Sequence, residues 1–190
     1  MQDRRPHFRT SVDLTTLIEY FIAEGPRWVR DQRSQHRSVG RALSVDEIRR
    51  LSPFFEEGIL QEARVTRVPV ITNPPFYAPL LAARIPIPLD FSQASGITFD
   101  DTILLAEHSV PPAAQLPVLF HELVHVVQFS LAGIEGFVRR YVTGWAENGC
   151  VYESIPLEAQ AYALGARFVA QPGFRFSVQD EVAGLIGRPT

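Results

Sequence analysis

Two histidines and a glutamate stand together in a stretch that is otherwise apolar: Leu116-Pro117-Val118-Leu119-Phe120-His121-Glu122-Leu123-Val124-His125-Val126-Val127-Gln128-Phe129. In a helix, the pattern His-Glu-x-x-His sets the imidazoles of His121 and His125 one turn apart on one face, within reach of a single zinc ion. Glu122, beside the first histidine, is placed to take a proton from a water at the metal without being a ligand. That is the role of a general base in hydrolysis. Leu119, Phe120, Leu123, Val124, Val126 and Val127 mark the helix as buried, so its three polar side chains need a reason to be there. At this composition the pattern arises by chance in about one chain in a hundred. The competing reading is a pair of core histidines bonded to backbone or to each other.

A catalytic zinc takes a third protein ligand and leaves a position to water. No histidine follows His125, and Gln128 and Leu131 stand where a three-histidine motif would carry its glycine and last histidine. The third ligand is therefore expected to be a carboxylate from a later helix: Glu135, Glu147, Glu153 or Glu158. Glu158 is the best placed, in the first turns of a helix expected over 155–170, whose Ala159, Ala161, Ala163 and Ala166 allow close packing on the motif helix. Glu153 is next. The competing reading of Glu158 is a solvated acid favoured by the helix N-terminus. Charge on a tetrahedral intermediate needs a donor; Arg139, Arg140, Tyr141, Tyr152 and Tyr162 are available, and only Tyr162 shares a helical face with Glu158. Gln128, one turn after His125, either holds that imidazole by its other nitrogen or lines the cleft.

The elements that must position these groups read as follows. Apolar residues at helical spacing give a helix from Val12 to Glu24, stopped by Gly25-Pro26. The arginine- and serine-rich stretch 27–41 reads as a solvated linker, or as an arm for an acidic partner. Ser44 and Glu47 form a capping box for a short helix through Ile48 and Leu51. Residues 64–71 read as a strand. The five prolines in 74–90 suggest an extended covering segment. Ile97 to Leu105 reads as a second strand, or as a hairpin turning at Asp100-Asp101. The motif helix begins at about Ala113 or Pro117 and reaches Leu131, with Gly133 suited to its C-cap. A further helical segment covers 135–145. Ser154 then caps the Glu158 helix, with Pro156 in its first turn, and Pro172-Gly173 ends it. The tail from Phe174 reads as a strand-like piece and a weak helical turn.

The whole chain bounds the answer. It has 190 residues, 46% of them hydrophobic and 21% charged, which suits an ordinary globular protein. One cysteine, Cys150, excludes an internal disulfide framework. All 18 basic residues are arginine, so no lysine serves as Schiff base or phosphate ligand. A net charge of -3 argues against a nucleic-acid binder. The N-terminal residues do not read as a classical signal peptide, so none is expected, and no uninterrupted apolar run reaches spanning length. The expected location is cytoplasmic, or outside the cell by a route without a cleaved signal, with no membrane and no nucleic-acid partner.

The chain resembles the zincin metallopeptidases, and among them the gluzincin type, whose third ligand is a glutamate on a downstream helix. It looks closest to compact bacterial HExxH domains found near contractile injection systems and polymorphic toxins. The resemblance rests on Gly96-Ile97-Thr98-Phe99, on His121-Glu122-Leu123-Val124-His125-Val126-Val127-Gln128 and on Glu158-Ala159-Gln160-Ala161-Tyr162, and spans about residues 60–170. It implies His121, His125 and Glu158 as zinc ligands and Glu122 as catalytic acid and base. It also implies an α+β fold: a small sheet against the motif helix and a downstream glutamate-bearing helix. The expected organisation is an N-terminal appendage over 1–59 and a catalytic domain over 60–190. The insert 74–88 and the N-terminal 60 residues depart from the pattern, and a cover, a cleft wall or a docking element would each suit them. The expected function is a zinc metallohydrolase acting on peptides or proteins, with a protein partner open to the N-terminal segment. The alternative is a catalytically silent structural or docking module.

Overall fold

The computed structural model describes residues 13–84, 89–111, 114–170 and 173–187. Expectations that touch residues 1–12, Pro86, Pro88, Pro112, Ala113 and Pro172 lie outside these residues. The fold is α+β, with a small mixed sheet and seven helices among the described residues.

Helix α1, Leu14–Arg37, is capped by Asp13, whose side chain accepts from the Thr15 N–H. It does not stop at Gly25-Pro26, and the expected linker is for the most part its second half. Proline in a helix costs about 3 kcal/mol and one hydrogen bond. Here the following turns offset that cost. Trp28 and Val29 are buried, and the arginines find acids in the same chain. Arg30 pairs with Glu135; Arg33 reaches Asp100 at 3.0 Å and Asp101 at 2.6 Å; Arg37 reaches Asp101 at 2.7 Å and Glu62 at 2.9 Å. Gly25 marks a helix crossing, since a β-carbon there would lie 2.7 Å from Val138 Cγ1.

Helix α2, Val45–Leu51, carries the expected capping box of Ser44 and Glu47, and Glu47 also takes both ends of the Arg41 guanidinium. After the short α3, Glu57–Glu62, strand β1 covers Arg64–Val68. It is shorter than expected because Pro69, with no N–H, follows at once. The proline-rich stretch is partly helical rather than extended: a 3-10 turn at Pro75–Tyr77 leads into α4, Ala78–Ala82, and a second turn covers Phe91–Gln93. Tyr77 and Leu80 anchor it in the core.

Strands β2, Gly96–Phe99, and β3, Thr102–Ala106, form a hairpin turning at Asp100-Asp101, with Gly96 opposite Leu105 and Phe99 opposite Thr102. The sheet order is β1-β3-β2, with β1 parallel to β3. Strand β3 is buried throughout, and β2 is an edge strand.

Helix α5, Gln115–Glu147, contains two helical halves that meet at Gly133, where φ is 68° and ψ is 166°. That left-handed conformation suits glycine, and Phe129 stacks on Phe137 across the bend with ring centroids 3.7 Å apart. By length and hydropathy α5 would cross a bilayer, although no uninterrupted apolar run does. In its most apolar stretch 56% is buried inside the protein, as in a core helix. Helix α6, Pro156–Ala170, packs along α5. Its first backbone bond runs from the Ala159 N–H to Ile155, so Ile155 rather than Ser154 holds the cap position. Phe120 stacks on Phe168 at 4.4 Å and ties the two helices together. The tail forms α7, Val178–Ile186, a fuller helix than expected. Ser177 caps it, and its Val178, Val182 and Ile186 are buried.

Candidate metal centre

The first half of α5 supplies the histidines and α6 supplies the carboxylate. His121, His125 and Glu158 stand together as a group able to hold a metal ion. The two Nε2 atoms are 3.1 Å apart. Glu158 Oε2 lies 3.2 Å from His121 Nε2 and 3.4 Å from His125 Nε2. That oxygen is fully buried and has no well-aligned hydrogen bond, a state that a cation, a water or a proton on a facing imidazole would relieve. The donor set fits a divalent metal.

His125 and Glu158 are each held by a neighbour. Gln128 Nε2 donates to the Leu157 carbonyl at 3.0 Å and to Gln160 Oε1 at 3.1 Å, which fixes the direction of its amide. Gln128 Oε1 must then accept from His125 Nδ1, 2.8 Å away. His125 is left with Nε2 as its metal-facing atom. Gln128 thus takes the first of its two expected roles. Tyr141, on the second half of α5, donates its hydroxyl to Glu158 Oε1 at 2.8 Å. The bend at Gly133 brings that tyrosine back over the site.

Glu122 stands beside the group without joining it. Thr98 Oγ1 donates to Glu122 Oε2 at 2.8 Å. Gly96 lies against the same carboxylate, and a β-carbon there would sit 2.5 Å from Oε1. Edge strand β2 therefore cradles the side chain that the sequence marks as the base.

The electrostatics follow from burial and neighbours. Burial pushes the Glu122 carboxyl above its ordinary range, and His121, His125 and Thr98 only partly offset it. Burial also pushes Glu158 up, but the two imidazoles outweigh it and hold that carboxyl well below the usual range. Burial pushes His125 down, yet Glu158, Glu122 and Gln128 raise it to about 9. A proton and a metal ion thus compete for the same Nε2. Tyr141 and Tyr152 are pushed up by burial first and by Glu158 second, so both stay protonated as donors.

The remaining expected residues divide clearly. Glu135 pairs with Arg30, Glu147 is exposed at the end of α5, and Glu153 is exposed on the rim of the groove described next. Arg140 bonds the Ile186 carbonyl, Arg139 is exposed, and neither lines a cavity at the site. Tyr162 faces His121, with ring centroids 4.6 Å apart. An open groove of about 820 Å³ runs past His121, Glu122, Tyr152 and Tyr162. Thr98 was missed by sequence reasoning, since one threonine in a short strand carries no signal of its own. Tyr141 was one of five candidate donors to developing charge, and its hydroxyl is instead engaged with Glu158.

Comparison of the chain with protein-family models, with curated proteins and with solved structures gives no significant match.

Proposed function

We propose that the chain is a zinc-dependent peptidase of the zincin type, with His121, His125 and Glu158 as metal ligands and Glu122 as acid and base. The observation that carries this is the donor triangle. Two ligand atoms each about 2.0–2.1 Å from a tetrahedral zinc ion stand about 3.3 Å apart, and the three edges here are 3.1, 3.2 and 3.4 Å. Two imidazoles and one carboxylate suit zinc among the common divalent ions. The groove at His121 and Glu122 supports a catalytic centre over a closed structural one.

Bound zinc would supply Lewis acidity, polarising the scissile carbonyl and making a water acidic near neutral pH. Glu122 takes the proton of the attacking water and returns it to the leaving amine. A carboxylate in this position is suited to both transfers. Thr98 and Gly96 set the direction of that carboxylate. Tyr152 and Tyr162, on the groove wall, are the donors nearest to where negative charge develops.

The test has two parts. Elemental analysis of protein purified without an affinity metal is expected to give about one zinc per chain, and much less in the Glu158→Ala variant. The Glu122→Gln variant is expected to keep its zinc and to lose cleavage of a peptide library by about 10²- to 10⁴-fold. A Glu122→Gln variant that keeps zinc and full activity would refute the mechanism. A wild type that takes up no zinc would favour the silent scaffold.

A further inference from the structure

Behind the metal centre lies a second cavity, of about 110 Å³, whose walls are aromatic. Phe21 and Trp28 come from α1, Phe76 and Tyr77 from the proline-rich stretch, and Phe129 and Phe137 from either side of the bend in α5. Glu122, His125 and Glu158 close its metal-facing end. It adjoins the open groove, and Phe91, Ala94, Gly96, Glu122 and Tyr152 border both. Protein interiors are normally packed without such voids. Helix α1 lies outside the part of the chain that resembles zincins, and the proline-rich stretch departs from their pattern, so the chamber is built by features particular to this chain.

We propose that this chamber receives one apolar, ring-sized side chain of the substrate, next to the bond that is cut. The proposal deepens the peptidase reading and rests on it for the nature of the ligand. A chain lying in the groove along Gly96 has the chamber beside it, since Phe91, Ala94 and Gly96 line both. The enclosed space approaches the apolar cavity of about 150 Å³ that takes up benzene, and the chamber's open side adds the room a phenyl or isobutyl group needs. An acidic side chain would lose its water against aromatic walls and meet the carboxylates of Glu122 and Glu158 at the inner end. The Trp28 indole N–H is buried without a hydrogen-bond partner, and the face of an aromatic ring is a weak acceptor for such a donor.

The test separates the chamber from the metal. Wild-type full chain, stripped of metal, is titrated with toluene while the indole N–H resonances of the two tryptophans are followed. The Trp28 signal is expected to shift and the Trp145 signal to stay. In parallel, calorimetry on zinc-loaded protein compares acetohydroxamate with 3-phenylpropanohydroxamate. The phenyl tail is expected to tighten binding by about 30-fold. That gain is expected to vanish in the Ala94→Phe variant, whose added ring stands on the border shared by groove and chamber. A folded protein whose Trp28 ignores toluene overturns the proposal, as do equal affinities for the two hydroxamates in the wild type. Failure of both hydroxamates to bind, with the toluene response present, counts against the zinc reading and upholds the chamber.

Discussion

Gly96 offers the sharpest test of whether β2 aims Glu122, the proposed base. In a Gly96→Ala variant the new β-carbon would lie 2.5 Å from Glu122 Oε1, 2.8 Å from Cδ and 2.9 Å from Cγ. Ordinary contact begins at 3.4 Å, so the carboxylate must retreat by about 0.9 Å. The strand is poorly placed to yield instead. Gly96 is paired with Leu105, and the Ala106 N–H holds the Ser95 carbonyl at 2.9 Å. Glu122 moves against its Thr98 bond in a buried site. A displacement of about 1 Å in a reacting group costs on the order of 10²-fold in rate. The expected result is a kcat/KM lower by about that factor, which sits at the mild end of the loss from removing the base. Zinc content should be unchanged, because no ligand is touched. Crowding costs about 1–3 kcal/mol, and the lost flexibility of glycine returns part of it, so a fall of a few degrees in Tm is expected. The assay is cleavage of a pooled peptide substrate, with metal analysis and a thermal melt on the same sample. A Gly58→Ala variant, where a β-carbon meets nothing within 4 Å, serves as control. A zinc-loaded Gly96→Ala protein with kcat/KM within about threefold of wild type would refute the cradle.

Two further outcomes are expected. The Tyr141→Phe variant removes the hydroxyl from Glu158 Oε1 and should weaken zinc binding by about 10- to 100-fold, read by competition with a chromogenic chelator; unchanged affinity would show that Tyr141 only fills space. Glu47 is depressed from 4.5 to about 2: burial opposes the shift, but Arg41 and the Ser44 cap outweigh it. A depressed carboxyl contributes stability above its unfolded value, and that contribution fades as pH falls from about 4.5 through about 2. With solvent screening of the Arg41 pair it amounts to about 1–2 kcal/mol, so Glu47→Gln should destabilise by that much at pH 7 and hardly at all near pH 2, measured by urea unfolding.

The legible parts of this chain were those in which a few neighbouring residues settle the matter. His121 and His125 are four apart on a helix whose other residues are apolar, and geometry does the rest. Ser44 and Glu47 close a capping box within one turn. Glu158 stood out because a helix rich in alanine, opened by Pro156, carries it. The errors came where a distant segment decides. Gly25-Pro26 reads as a stop, yet the helix continues. Trp28 packs edge-on against Phe99, with centroids 5.0 Å apart, and Arg33 and Arg37 close on the Asp100-Asp101 turn. Both acids lie more than sixty residues away. The same long-range contacts explain why the site's supports were hard to see. Thr98 meets Glu122 across 24 residues and Tyr141 meets Glu158 only through the bend at Gly133. The arginine-rich run has a consequence for function as well. By fastening α1 to the β2–β3 turn it holds Trp28 against Phe99, on the sheet whose edge strand cradles Glu122. The arginines that look like surface decoration in the sequence thus fix the wall of the chamber relative to the candidate metal centre. An N-terminal truncation through Arg37 would remove that wall together with Phe21 and Trp28, so a loss of cleavage in such a protein would not by itself reveal an external partner.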